Sequence, residues 1–232
     1  ENHPMRTILR DVLTLTRYKV SLAVSFSATA GYLFEIPHID GPFLFCLLGV
    51  FFLSSGASAL NQLQEKDLDK LMNRTCNRPL PSGRMSSGFV LLFSSLFLLI
   101  GSLSLLLTNS YLPMVLGLFN VLWYNLLYTW LKRKTPYAVI PGALTGAIPV
   151  LIGWTAAGGG IFAPGVLILS GFVFFWQVPH FWLLILKYGK EYEQAGFASL
   201  TRHMTTEKLK QIILIWIVAT SLYSFLLVRY GM

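Results

Sequence analysis

Seven long apolar runs, separated by polar loops, constrain this chain more than any other feature. They cover approximately residues 20–36, 43–60, 89–107, 112–131, 138–157, 161–186 and 212–228. Each approaches the roughly 20 residues that a helix needs to cross a hydrocarbon core. The runs are rich in Gly, Ser and Thr and include some Pro. Such residues weaken soluble helices, but membrane helices tolerate them and use the small ones for close packing. A transmembrane barrel would instead need short segments of alternating polarity, and none is visible. Composition agrees: the chain is 54% hydrophobic and 12% charged, against roughly a quarter charged in soluble domains. The expectation is an all-α polytopic bundle forming one membrane domain over residues 1–232. No cleavable leader is visible, because a polar opening stretch runs straight into a full-length apolar segment. Cys46 and Cys76 have neither a disulfide framework nor metal-site spacing.

The net charge of +8, taken alone, suggests a nucleic-acid binder, but its distribution argues for topology instead. Seventeen of the 18 Lys and Arg fall on one side of the predicted bundle: before run one and between runs two and three, four and five, and six and seven. Only Arg229 falls on the other side. By the positive-inside rule the basic side faces the cytoplasm of a bacterial inner membrane, or the matrix of a mitochondrion. The expected partner is a lipid bilayer and not a nucleic acid.

Topology does not explain the acids that share this side. After run two the chain reads Asn61-Gln62-Leu63-Gln64-Glu65-Lys66-Asp67-Leu68-Asp69, and Arg74 and Arg78 follow. Asn61, Glu65 and Asp69 step by four, so on a helix they share a face. Three oxygen donors on one face suit Mg²⁺, which completes its shell with water and phosphate oxygens. Asp67 falls off that face unless the helix unwinds. Arginine forks match phosphate oxygens. The plainer alternative is a set of surface salt bridges, each worth about 0–1 kcal/mol.

Two further patches lie on the same side. Gln177, His180, Leu184, Lys187 and Glu191 form one helical stripe at the end of run six. It is polar within an apolar helix, so it should face the bundle interior or a watery cavity. His180, beside Trp176 and Phe181, could be a ligand or contact a substrate, or could simply be a hydrogen-bonded structural residue. Tyr124, Tyr128 and Lys132 also step by four, with Arg133 adjacent. Their rings could stabilise a carbocation, or belong to an interfacial aromatic belt. A metal–phosphate site joined to an apolar bundle suits a lipid diphosphate, with its head at the cations and its tail between helices.

These residues resemble the UbiA superfamily of intramembrane prenyltransferases, and within it the haem O synthases. The resemblance rests on Asn61, Asp67, Asp69, Arg74-Thr75 and Arg78-Pro79, then on Tyr128-Thr129, Leu131-Lys132-Arg133 and Thr135-Pro136. It continues through residues 141–154 and 176–181 and covers nearly the whole chain. It implies a UbiA-like prenyltransferase fold, usually of nine spans. It also implies Mg²⁺-dependent transfer of farnesyl from farnesyl diphosphate to a vinyl group of haem B, with addition of water. Transfer to a quinone precursor or chlorin, and a non-catalytic haem or lipid carrier, are the competing readings. On the resemblance, Asn61, Glu65, Asp67, Asp69 and Glu191 would hold metal, and Arg74, Arg78, Lys132, Arg133 and Lys187 would hold diphosphate. Asn61, Glu65, Asp69, Glu191, Tyr124 and Tyr128 would form the catalytic set, with His180, Gln177 and Trp176 toward the haem. Haem A synthase or other oxidase assembly proteins would be protein partners. Three residue-level departures stand out: Glu65 and Glu191 replace the usual Asp, and Phe197-Ala198-Ser199 replaces a Pro-containing segment.

Overall fold

The structure, a computed structural model, describes residues 4–194, 196, 198, 200 and 204–231, and every regular element among them is helical. The elements are α1 (Pro4–Leu15), α2 (Tyr18–Glu35), α3 (Gly41–Gln64), α4 (Lys66–Asp69), α5 (Ser87–Leu106) and α6 (Leu112–Leu122). A π-helical turn (Trp123–Tyr128) joins α6 to α7 (Thr129–Lys134). A 3-10 turn (Pro136–Ala138) leads into α8 (Val139–Ala156), α9 (Pro164–Gln194) and α10 (Thr206–Arg229).

The helix starts follow local chemistry. Asp40, Ser86 and Thr205 each accept a backbone N–H three residues on, satisfying a donor that the first helical turn leaves open. All seven predicted runs are helical. Six helices among the described residues are both long and apolar enough to cross a membrane, α6 to α7 running as one. The remaining run is α2, 18 residues long and more polar, with Lys19, Glu35 and several hydroxyl side chains. It packs between α3 and α8.

Small residues set the closest helix contacts. Gly153 of α8 lies against the backbone of Ala28, and Gly31 of α2 against that of Val150, so a Cβ at either position would strike a carbonyl. This is the small-residue packing expected where no water drives helices together. The central core combines Ala28 and Tyr32 of α2, Val50 and Leu53 of α3, Leu105 of α5 and Ile152 of α8. A second cluster joins Val178 and Trp182 of α9 to Leu209 and Ile213 of α10. Leu92, Phe162 and Phe225 point outward and are exposed, as suits surfaces facing acyl chains.

Two features differ from the sequence reading. Residues 4–15, read only as polar sequence before the first span, form an amphipathic helix. The tyrosine–lysine segment passes through a π turn, a departure often found at functional sites. Phe197 and Ser199, in the segment noted for its missing proline, lie outside the described residues, as does Arg202.

Candidate active site

α3 carries Asn61, and its helix breaks at Glu65, whose backbone leaves helical geometry (φ −110°, ψ 7°). α4 resumes and delivers Asp69. Despite that break, Asn61, Glu65 and Asp69 are all buried. Asp67 is not brought to this group. Its side chain is 76% exposed and pairs with Lys70 at 3.4 Å, because it lies off the face shared by residues four apart.

Each buried polar group has a partner, across the bundle for Asn61 and Glu65 and in the following loop for Asp69. Asn61 Nδ2 donates to Thr129 Oγ1 at 3.0 Å, and Asn61 Oδ1 accepts from the Tyr124 hydroxyl at 3.3 Å. The Tyr124 oxygen in turn accepts from Arg17 Nη1 at 3.4 Å. Lys132 Nζ lies 2.7 Å from the Glu65 carboxylate. Arg78 Nη1 donates to Asp69 Oδ2 at 2.7 Å. Thr75 Oγ1 donates to the Asp69 carbonyl at 2.9 Å, pinning the loop that carries both arginines. Arg74 covers the ring of Tyr188 on α9 at 5.1 Å, so the acid–arginine loop meets the end of α9.

The electrostatics are crowded. Burial lowers the Arg78 pKa, and the neighbouring Arg17 and Arg74 lower it further, while Asp69 opposes the shift. A cluster in which Arg17, Arg74, Arg78 and Lys132 surround two carboxylates has surplus positive charge. Such a surplus attracts anions.

The aromatic patch borders this cluster. The Tyr124 and Tyr128 rings stack at 5.7 Å, and Lys132 sits over Tyr128 at 5.4 Å. Arg133 is engaged elsewhere, because its Nη2 donates to the Gln64 carbonyl at 3.0 Å, at the end of α3. Lys187 is exposed and lies over Tyr188 at 5.1 Å. Glu191 is half-buried, and its Oε2 is buried with no hydrogen-bond partner among the described residues.

The stripe on α9 does not present a single face inward. Gln177 lies against Gly146 of α8. His180 stacks on Trp176 at 5.2 Å (13° between planes), and both line a groove of about 420 Å³ between α9 and α10. Five positions spread over 15 residues drift around the helix. His180 and Lys187 fall at one edge of the stripe and are exposed, while Gln177 and Glu191 lie nearer its other edge and are more enclosed.

Arg17 and Thr129 reach the site although the sequence reading gives neither a site role, Thr129 entering it only as part of the Tyr128-Thr129 motif. Arg17 looked like ordinary topological charge, and nothing in its spacing pointed to Tyr124, 107 residues away. Its backbone carries the signal: φ 45° and ψ 47° place it as the one non-glycine residue with positive φ among those described. That conformation costs about 1–2 kcal/mol and marks sites held by their surroundings.

Fold and site together define a polytopic helical membrane protein with a buried, cation-rimmed acid cluster at one end of the bundle. Comparison with known proteins narrows this. Residues 23–232 match the model of the UbiA prenyltransferase family. The chain is 34% identical over 211 residues to a protoheme IX farnesyltransferase of Nitratidesulfovibrio vulgaris, covering 91% of this chain and 74% of that protein. It is 40% identical over 195 residues to one of Geobacter sulfurreducens, covering 83% and 71%. A solved digeranylgeranylglyceryl phosphate synthase superposes with TM-score 0.76 at 22% identity, covering 96% of this chain and 78% of that one. A UbiA homologue from Archaeoglobus fulgidus bound to GPP and Mg²⁺ also gives 0.76, at 18% identity and with coverage of 92% and 76%. These two likenesses establish the fold. The chain belongs to the UbiA prenyltransferase family.

Proposed function

We propose that this chain transfers the farnesyl group of farnesyl diphosphate to a vinyl group of haem B, with addition of water, giving haem O and diphosphate. The observation that carries this reading is the buried Asn61–Glu65–Asp69 face ringed by arginine and lysine. It occurs in a chain 34–40% identical to proteins named protoheme IX farnesyltransferase.

The donor set fits a hard divalent ion. Two buried carboxylates and an amide oxygen offer only oxygen, and Glu191 Oε2, unpartnered among the described residues, is a further oxygen for which a cation would be a partner. No group of three or more His, Cys, Asp or Glu is assembled for a metal among the described residues, so substrate phosphate would have to complete the shell. Asn61, Glu65 and Asp69 would hold Mg²⁺, with Glu191 as the contribution of α9. Asp67, exposed and paired with Lys70, is left out of the proposed set. Bound there, Mg²⁺ would supply charge that stabilises the departing diphosphate.

The chain's own residues do the rest. Arg74, Arg78 and Lys132 orient the diphosphate and neutralise it as the C–O bond breaks and the electron pair leaves with it. Arg17 adds a cation beside Asn61. Arg133 and Lys187 lie at the rim and attract the anion rather than hold it. The Tyr124 and Tyr128 faces stabilise the allylic cation that remains. The vinyl carbon of haem B then bonds to farnesyl C1. Water adds its oxygen to the neighbouring carbon and releases a proton. For the haem we propose the groove edged by Trp176 and His180, with Gln177 nearby. The basic end would face the cytoplasm of a bacterial inner membrane or the mitochondrial matrix.

Mass spectrometry of haems extracted from cells with and without this protein tests the reading. Haem O should appear only with it, and a prenylated quinone precursor or chlorin in its place would assign a different acceptor. An unchanged haem absorption spectrum in His180→Ala would remove that residue from the haem site.

A further inference from the structure

α1 has two faces with different fates. One is clamped to the bundle. Asp11 is buried and takes two hydrogen bonds from Arg84, each 2.9 Å. Gln62 Nε2 donates to the carbonyl of Leu15 at 2.7 Å. The other face is open, and on it Leu9 is 60% exposed.

Beyond the sharp turn at Arg17, α2 begins its course through the bundle. α1 and α2 thereby enclose an open cleft of about 470 Å³. Arg10, Arg17 and Lys19 line it together with the apolar Leu9, Leu13 and Val20, and among the described residues no carboxylate lines it. Asp11, the one acid on α1, is turned the other way, to Arg84. The cleft therefore combines surplus positive charge with an apolar wall. It lies on the side of the bundle that carries the acid cluster, since Arg17 reaches Tyr124 and through it Asn61.

We propose that this cleft binds one anionic phospholipid. Its phosphate lies among Arg10, Arg17 and Lys19, and one acyl chain runs along Leu9, Leu13 and Val20. Charge complementarity and amphipathicity both favour this occupant. Basic side chains at the membrane surface recognise anionic head groups, and an amphipathic helix buries its apolar face at the level of the acyl boundary. A zwitterionic lipid satisfies the apolar wall but brings its own cation toward the three already there. Arg17 links this cleft to the acid cluster, because it also donates to Tyr124, which contacts Asn61.

Native mass spectrometry of the full chain in detergent tests this, with dioleoylphosphatidylglycerol and dioleoylphosphatidylcholine added separately. The wild type should retain one phosphatidylglycerol at energies that strip phosphatidylcholine. The Arg10→Gln/Lys19→Gln double variant should lose that retention by about tenfold. Both residues are exposed, so its thermal transition in detergent should match the wild type. Equal retention of the two lipids would overturn the proposal, as would unchanged retention in the double variant. Displacement of the bound lipid by millimolar inorganic phosphate would also overturn it, since phosphate alone would then be what is recognised.

Discussion

Lys132 on α7 and Glu65 at the end of α3 meet at 2.7 Å, although 67 residues separate them in the chain. Both side chains are largely buried, so this is not the weak surface pair that sequence spacing alone would allow. At the proposed metal site, Lys132 would compete with the divalent ion for the same carboxylate. Lys132→Met should therefore lower the Mg²⁺ concentration needed for half-maximal turnover. It should also raise KM for farnesyl diphosphate about tenfold, the loss of one charge-assisted hydrogen bond. Mg²⁺ titrations at fixed diphosphate check both directions. A rise in the Mg²⁺ requirement would contradict the competition.

Arg17 combines a strained backbone with a cation at the site, and the two contributions can be separated. Arg17→Gly removes the left-handed penalty, so thermal stability should hold or rise by about 1 kcal/mol. The same variant should raise KM for farnesyl diphosphate several-fold, and Arg17→Lys should recover part of that loss. Melting curves in detergent and steady-state kinetics on the three proteins provide the comparison. Arg17→Gly with both reduced stability and unchanged KM would make the residue a structural corner only.

Glu191 buries a carboxylate oxygen without a hydrogen-bond partner among the described residues. If a cation belongs there, Mg²⁺ with a non-hydrolysable farnesyl diphosphate analogue should raise the melting temperature of the wild type. The rise should be clearly smaller in Glu191→Gln. Equal shifts in the two proteins would remove Glu191 from the metal site.

The α2–α8 interface depends on the backbone contact between Gly153 and Ala28. Gly153→Leu should destabilise the protein by about 3 kcal/mol through overpacking, with loss of the monodisperse species in detergent gel filtration. Gly160→Ala should have no effect, because a Cβ there meets nothing within 4 Å.

Much of the fold and part of the site were legible in the sequence because they depend on local period. The seven helices follow from apolar length, and the shared burial of Asn61, Glu65 and Asp69 follows from steps of four. What local period cannot give is the partner across the bundle. Neither Thr129 as the acceptor for Asn61 nor Arg17 as the donor to Tyr124 leaves a trace in spacing, since each spans more than one helix. The α9 stripe shows the complementary failure. Offsets of 3, 7, 10 and 14 share a broad face, but the groove with α10 decides which edge of it is open. The amphipathic character of α1 was present in its residues but was obscured by its charges, which were assigned to topology.

The proposed chemistry needs the buried acids to act on a diphosphate through a divalent ion. Its most direct test is mass spectrometry of haem products from the purified protein given haem B and farnesyl diphosphate. The assay compares Mg²⁺ with EDTA, and the wild type with Asn61→Ala and Asp69→Ala. Haem O and released diphosphate should form from the wild type with Mg²⁺ alone, and either variant should lose two orders of magnitude or more (about 3 kcal/mol of transition-state stabilisation). Full haem O formation in EDTA, or undiminished product from Asp69→Ala, would contradict this chemistry.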